Sequence, residues 1–176
     1  RLPAIIEREL REANGRRARL KAEAALQESE ERYTLATRGA NDGIWDWDIR
    51  AGRVYYSPRW KEMLGYTDDD VSADVTEWTT RVHPDDNEIV KAQVVRHFKH
   101  ETPHFESEHR MRHRDGSYLW VLTRGIAVFD ENGRAYRMAG SQSDIQQRKK
   151  AEEQLQHDAL HDSLTQLHNR LLFRDL

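Results

Sequence analysis

Nine histidines and no cysteine define the chemistry this sequence can attempt. Without cysteine there are no disulfides, no thiolate metal sites, no nucleophilic thiol and no flavin–thiol adduct. His157 and His161 stand at i and i+4 in a helix-forming segment and share a face, but no third ligand follows at a usual zinc spacing, so no metal site is expected. Asp46 and Asp48 lie on one face of an alternating segment, where an exposed strand face explains them. No Ser/His/Asp order and no phosphate loop occurs. No catalytic residue is assigned, and this chain is not expected to be an enzyme.

Ser107 and His109 are more informative. Phe105, Ser107, His109 and Met111 alternate with Glu106, Glu108, Arg110 and Arg112, so they share one strand face with two apolar neighbours. A polar pair on such a face must be hydrogen-bonded when buried, either within the core or to a small ligand. The five tryptophans are first of all core residues, and their rings could also stack on a flat ligand such as a flavin.

The chain has 176 residues, enough for one domain plus extensions. A charged fraction of 34% points to extensive solvated surface, while five Trp, six Tyr and four Phe require a packed core. The net charge of -3, with both signs interspersed, gives no field to gather nucleic acid or anionic lipid, so neither partner is expected. Neither a secretory signal nor a long apolar run is present. The setting expected for this segment is cytoplasmic, and the missing initiator Met suggests a piece of a longer protein that could carry a membrane anchor elsewhere.

From Ile5 to about Thr37 the sequence is rich in strong helix formers. Ile6, Leu10, Ala13, Leu20 and Ala24 follow coiled-coil steps if Arg17 fills one seam position. Ile6, Leu10, Leu20 and Ala24 are therefore the expected dimer interface. Leu26 and Tyr33 are out of register with Leu20, which predicts a change of partner near Leu26, and Asn14-Gly15 leaves room for two shorter helices. Gly39 and Gly43 should stop the helix.

Trp45, Trp47 and Ile49 alternate with Asp46 and Asp48 as a half-buried strand, and a turn at Ala51-Gly52 leads into a second strand, Arg53 to Tyr56. Ser57-Pro58 starts a short helix that ends at Gly65, and Trp78 supplies a core anchor. His83-Pro84-Asp85-Asp86 is another helix N-terminus, with Pro in the first turn and two carboxylates at the positive end of the dipole. That helix should run to about Lys99 with Ile89, Val90, Val94 and Phe98 inward. Three strands follow, Phe105 to Arg112, Ser117 to Phe129 and Ala135 to Ile145, separated by the turn signals Asp115-Gly116 and Asn132-Gly133. A helix over Gln146 to Leu160 closes the series. Both faces of the long strand are apolar, so short helices should cover one face and the N-terminal helix or a partner subunit the other.

This order, with Gly43-Ile44-Trp45-Asp46-Trp47-Asp48, the spacing of Trp78 to His83-Pro84-Asp85-Asp86, and Arg110-x-Arg112-x-x-Asp115-Gly116-Ser117-Tyr118-x-Trp120, resembles a PAS domain with its PAC segment over roughly residues 29 to 150. The resemblance implies an α+β PAS fold: a five-stranded antiparallel sheet with short helices on one face, flanked by long N-terminal and C-terminal coiled-coil-like helices. It divides the chain into a helical linker (1–28), the PAS/PAC sensor (29–147), an exit helix (148–161) and a further segment (162–176). That last segment, Asp162-Ser163-Leu164-Thr165-Gln166-Leu167-His168-Asn169-Arg170, resembles the opening of a GGDEF diguanylate cyclase domain, with Gln166 where that family usually has Gly.

The resemblance also implies a cavity in the sheet core, with Ser107, His109, Trp78, Phe98 and Trp120 as candidate lining for a small-molecule ligand. No cofactor is assigned. Flavin and haem are the alternatives, and His97 and His100 lie in the region from which haem-binding PAS domains supply an axial ligand, although a solvated helix end is the simpler account. Ser143-Asp144-Ile145-Gln146 is similar to the family's terminal Asp-Ile-Thr element, which makes Asp144 and Ile145 the expected signal relay; Gln146 lacks the family's capping hydroxyl. The function implied is a sensory and dimerising module of a cyclic di-GMP signalling protein, working as a homodimer through its helical linkers. A passive dimerisation scaffold, or a PAS segment of another signalling protein such as a histidine kinase, is the alternative.

Overall fold

The structure, a computed structural model, describes residues 4–160. Two compact units make up the chain, divided between Asn41 and Asp42. The first is a helix, α1 (Ala4–Ala40), continuous through Gly15 and Gly39. It ends at Asn41, whose φ of 55° is left-handed and breaks the helical repeat. The helix therefore extends beyond the expected linker boundary at residue 28. Arg8–Glu12, Arg19–Glu23 and Arg32–Glu28 ion pairs run along it at i,i+4 spacing, each worth a few tenths of a kcal/mol. Ile6, Leu20 and Ala24 are exposed on this helix, while the side chain of Leu10 lies outside the described residues.

The second unit begins with the hairpin β1 (Gly43–Asp48) and β2 (Arg53–Tyr56), followed by the short helices α2 (Pro58–Met63) and α3 (Thr76–Thr79), with a 3-10 turn at Asp68–Asp70 between them. Then come α4 (Pro84–Phe98), the strands β3 (Phe105–Arg112), β4 (Tyr118–Phe129) and β5 (Ala135–Asp144), and the exit helix α5 (Gln146–Leu160). All five strands join one antiparallel sheet in the order β2-β1-β5-β4-β3. The fold is therefore an α+β PAS fold, with a long N-terminal and a C-terminal helix.

The helix starts are capped as their sequences predict. Ser57 Oγ accepts from Trp60 N at the start of α2, and His83 Nδ1 accepts from Asp85 N at the start of α4, each ahead of a first-turn proline. Both outer edges of the sheet are covered. Residues 73 and 74 pair with β2 through Val54 N to Ala73 O, and residues 81–83 run along β3 through His83 N to Arg110 O and Arg112 N to Arg81 O.

α4 differs from its expected packing. Val90 is buried and Val94 and Phe98 are half-buried, but Ile89 is 63% exposed. The inward stripe instead includes Asp86 and His97, two polar residues whose bonding partners lie on the sheet. Apolarity alone misplaced Ile89 because the helix angle, not residue type, selects which positions face inward.

β4 also divides unevenly. Val121, Thr123, Gly125 and Ala127 are buried, whereas Ile126 (60% exposed), Val128 and Tyr118 open to solvent on the opposite face. In the centre of the sheet Gly125 pairs with Gly140, and Gly140 with Trp45. A Cβ on Gly140 would lie 2.7 Å from Trp45 Cζ2 and overlap the Arg124 carbonyl; one on Gly125 would lie 2.5 Å from Trp45 Cη2. Gly140→Ala should therefore cost at least about 2 kcal/mol or abolish folding. By contrast Gly15→Ala, with nothing within 4 Å of the added carbon, should raise the helicity of α1, a gain of about 1 kcal/mol. Urea denaturation and far-ultraviolet circular dichroism of the two variants check both outcomes.

Candidate ligand cavity and exit-helix junction

Between the inner sheet face and the short helices lies a cavity of about 40 Å³ lined by Trp45, Trp47, Val54, Tyr56, Trp60, Val75, Trp78, Val94, Phe105, Thr123 and Met138. The Trp-x-Trp alternation of β1 sends both indoles to this side, while Asp46 turns outward to Arg137 Nε at 2.8 Å. Trp60 comes from α2, Trp78 from α3 and Val94 from α4, so three helices and the sheet share one wall. A buried polar network fixes the α2 side. Gln142 Oε1 accepts from Trp60 Nε1 at 3.2 Å and from Thr123 Oγ1 at 3.3 Å, and Gln142 Nε2 donates to Met63 Sδ at 3.7 Å.

Of the five expected lining residues, Trp78 lines the cavity. His109 and Ser107 are fully buried beside it: the His109 ring meets Trp78 at 5.9 Å, edge to face, and its Nδ1 lies 3.2 Å from Ser107 Oγ. Phe98 stands behind the wall, packed on Trp47 at 6.0 Å. Trp120 does not join them. Its side chain lies on the outer face, where Arg110 and Lys149 sit over the ring at 5.5 and 5.1 Å, because strand alternation puts residue 120 opposite Val121. Trp45, Trp47, Tyr56 and Trp60 were not assigned from sequence as lining; the signal available for the first two was their shared face with Ile49.

Neither histidine considered for haem is free within the core. His97 is 2% exposed, its Nε2 accepting from Ala127 N at 3.0 Å and its Nδ1 meeting Thr102 O at 3.1 Å. Ala127 lies just past Gly125, the partner of the first residue of β3, so the imidazole takes the place of the missing strand partner. His100 is exposed, with its ring stacked on Phe129 at 4.0 Å. A cavity of this volume accommodates water-sized or few-atom molecules, an order of magnitude below pockets that hold drug-sized ligands. The residues present do not fit a flavin or a haem. No cluster of three or more metal-ligating side chains occurs among the described residues.

The junction with α5 is built on the opposite face of the same strands. Asp144 Oδ1 accepts from Gln146 N at 2.8 Å, a local cap on α5. Ile145 is buried, and its N–H donates to Trp120 O at 3.0 Å. Gln146, in place of a hydroxyl residue, uses its amide oxygen to accept from Trp120 N at 3.0 Å, beyond the point where β5 stops pairing with β4. Glu108 makes the ionic link, to Arg148 at 2.6 Å and Lys149 at 2.7 Å. Those two cations hold its carboxyl below the usual glutamate range. Glu108 was not among the expected relay residues.

Residues 53–142, half of the chain, match the sequence pattern of the PAS fold. The chain belongs to the PAS fold family. It is similar to protein y4lL of Sinorhizobium fredii, 31% identical over 158 residues, which cover 86% of this chain and 19% of that protein. Among solved structures, a sensory box histidine kinase/response regulator from Burkholderia thailandensis superposes with a TM-score of 0.64 at 37% identity, covering 71% of this chain and 92% of that one. The N-terminal domain of a diguanylate cyclase with PAS/PAC sensor from Marinobacter aquaeolei gives 0.54 at 27%, covering 61% and 98%. This is a PAS sensory domain of a signalling protein. No helix among the described residues is long and apolar enough to cross a membrane.

Burial lowers the His109 pKa in this PAS core from its ordinary 6.5 to about 4, against an opposing pull from Asp86. Between those values the unfolded chain binds a proton that the folded one does not, so stability rises with pH and is fully regained above about 6.5. The cost of acidification from about pH 7 to about pH 4.5 is on the order of 2–3 kcal/mol. His109→Gln should remove most of that dependence, as measured by urea unfolding at the two pH values. Asp86, held below the usual carboxylate range first by its Arg110 hydrogen bond, titrates in a more acidic window.

Proposed function

We propose that this PAS domain senses through its core cavity and relays the signal through β3 and α5 to a diguanylate cyclase domain, in a cyclic di-GMP signalling protein that works as a homodimer. The observation that carries the relay is the pairing of roles on β3. His109 is buried beside the cavity against Trp78, which lines it, and the adjacent Glu108 faces outward and grips Arg148 and Lys149 of α5. A shift of β3 on ligand binding is thereby presented to the exit helix within one residue. The chain itself carries no catalytic group in this reading; catalysis belongs to the output domain.

The cyclase output is supported by the GGDEF-like run Asp162 to Arg170, which lies outside the described residues, and by the similarity to the PAS/PAC sensor of the Marinobacter cyclase. A histidine kinase parent is the second reading, favoured by the Burkholderia similarity. Against it, no His-Glu-Leu-Arg type phosphoacceptor box stands where Asp162 to Arg170 occur. The setting we infer is cytoplasmic, with neither nucleic acid nor membrane as a direct partner of this segment.

In the full-length protein, Glu108→Gln should change output activity or its response to signal, while the melting temperature falls by only a few degrees, because a partly exposed ion pair is worth under about 1 kcal/mol. Asp144→Asn, which weakens the local cap, is the comparison. Unchanged output and response in both variants would show that the signal leaves the domain elsewhere.

Dimerisation is assigned to the stripe Ile6, Leu10, Leu20 and Ala24, since a helix of this length gains most of its stability from packing an apolar face. Sedimentation should show a dimer at micromolar concentration and a monomer for Leu10→Glu combined with Leu20→Glu. A wild-type monomer, or a dimer indifferent to the double substitution, would overturn the assignment.

A further inference from the structure

Resting on the homodimer assigned to α1, we propose that its seam opposes itself: two copies paired parallel and in register set Arg16 against the partner's Lys21 and Arg17 against the partner's Arg17. Screening or neutralising these cations then controls the dimer. Counting Ile6, Leu10, Ala13, Arg17, Leu20 and Ala24 as alternating d and a positions of a heptad puts Arg17 at an a position, inside the seam. Arg16 then stands at g and Lys21 at e, the positions that flank the seam, each g facing the partner's e five residues on. Parallel pairing follows from the reading itself, since a twofold axis along the helices carries the output domains of both chains to the same end.

What sets these cations apart is that nothing on their own helix relieves them. Arg8, Arg19 and Arg32 each lie against a glutamate one turn away, at 3.0, 2.8 and 2.7 Å. Arg16, Arg17 and Lys21 are exposed and have no acidic partner among the described residues. Glu12, one turn before Arg16, is taken by Arg8, and Arg17 and Lys21 stand at i,i+4 to each other, which is itself a repulsive spacing. Glu23 and Glu28, the next g and e positions, repeat the like-charge facing with the opposite sign. There, however, Arg19 and Arg32 neutralise the carboxylates within each helix. The uncompensated repulsion is concentrated on the cationic turn.

The apolar part of the seam is too small to outweigh it easily. Ala13 and Ala24 contribute little area, so the stretch next to Arg17 rests on Leu20. Charge across the seam is thus comparable with what holds it, and the pairing of α1 can be made or unmade by its ionic surroundings.

Sedimentation of the 176-residue chain at about 0.1 and about 1 M NaCl, between which the screening length falls from about 10 to about 3 Å, tests the sign of the charge term. The dimer dissociation constant should fall severalfold with added salt. Lys21→Glu, which turns both Arg16 contacts attractive, should lower it roughly tenfold at the lower salt. In that variant salt should weaken the dimer, and the reversed sign separates charge from any general strengthening of apolar contact by salt. Ala24→Cys, which introduces the sole cysteine of the chain, should cross-link on oxidation, because parallel in-register helices bring residue 24 against itself. A dimer that does not cross-link there, that weakens with salt in its native sequence, or that is indifferent to Lys21→Glu would overturn the self-opposed seam and leave dimerisation standing. A monomer under every condition, Lys21→Glu included, would overturn the homodimer reading as well.

Discussion

The placement of the Trp45 indole across three strands is the constraint on which the rest of the domain depends. Trp45 stands on β1, its partner on β5 is Gly140, and Gly140 is paired in turn with Gly125 on β4. With no side chain on either glycine, the ring lies against the bare centre of the sheet, at distances that leave no room for a methyl group. The indole forms the cavity floor at the place where a side chain would otherwise fill it. α2 packs directly on the β1 backbone, where a Cβ on Gly43 would lie 2.6 Å from Trp60 Cα, and α3 and α4 bring Trp78 and Val94 to the same cavity as Trp45 and Trp47 of β1.

Around that floor, polar groups fix what apolar contact alone would leave free to slide. Asp86, in the first turn of α4, accepts from Arg110 N at 2.8 Å, Nε at 3.0 Å and Nη2 at 2.6 Å, anchoring the start of the helix to the middle of β3. At the other end of α4, His97 bonds to β4 through Ala127 N. The helix is therefore pinned to two neighbouring strands, and its buried side presents Val90 and Val94 at a set height above the sheet. Hydrogen bonds of this kind contribute modestly to net stability but are costly to leave half-made, so they specify position more than they add energy.

The alternation of β3 was legible because charged and buried positions differ at every step from Phe105 to Arg112. The helix starts at Ser57-Pro58 and His83-Pro84 were legible because proline and a capping acceptor leave few other conformations. β4 was not, since Trp120, Leu122, Ile126 and Val128 are as apolar as the face that is buried, and periodicity then carries no sign. His97 read as a solvated helix end because nothing local announces a backbone N–H on β4 left without a partner ahead of the first residue of β3. Gln146 read as the loss of a capping hydroxyl; only the end of β5 pairing shows that its amide reaches the exposed Trp120 N–H. For His97 and Gln146 the deciding partner lies on β4, 30 and 26 residues away in the chain.

The two faces of β3 differ in chemistry, and in the proposed relay that difference keeps sensing and transmission separate. On the inner side of β3, Ser107 and His109 are buried and uncharged beside the cavity, so an event there acts through contact and displacement. On the outer side, Glu108 is partly exposed and held by two cations of α5, with Lys149 also lying over the Trp120 ring. That clamp is weak enough to be remade, as exposed ion pairs are, while Ile145 and Gln146 tie the start of α5 to both backbone groups of Trp120. The backbone ties keep the helix origin fixed, and the Glu108 clamp one turn further along sets its direction. A displacement of β3 would therefore tilt or rotate α5 about a fixed origin rather than detach it.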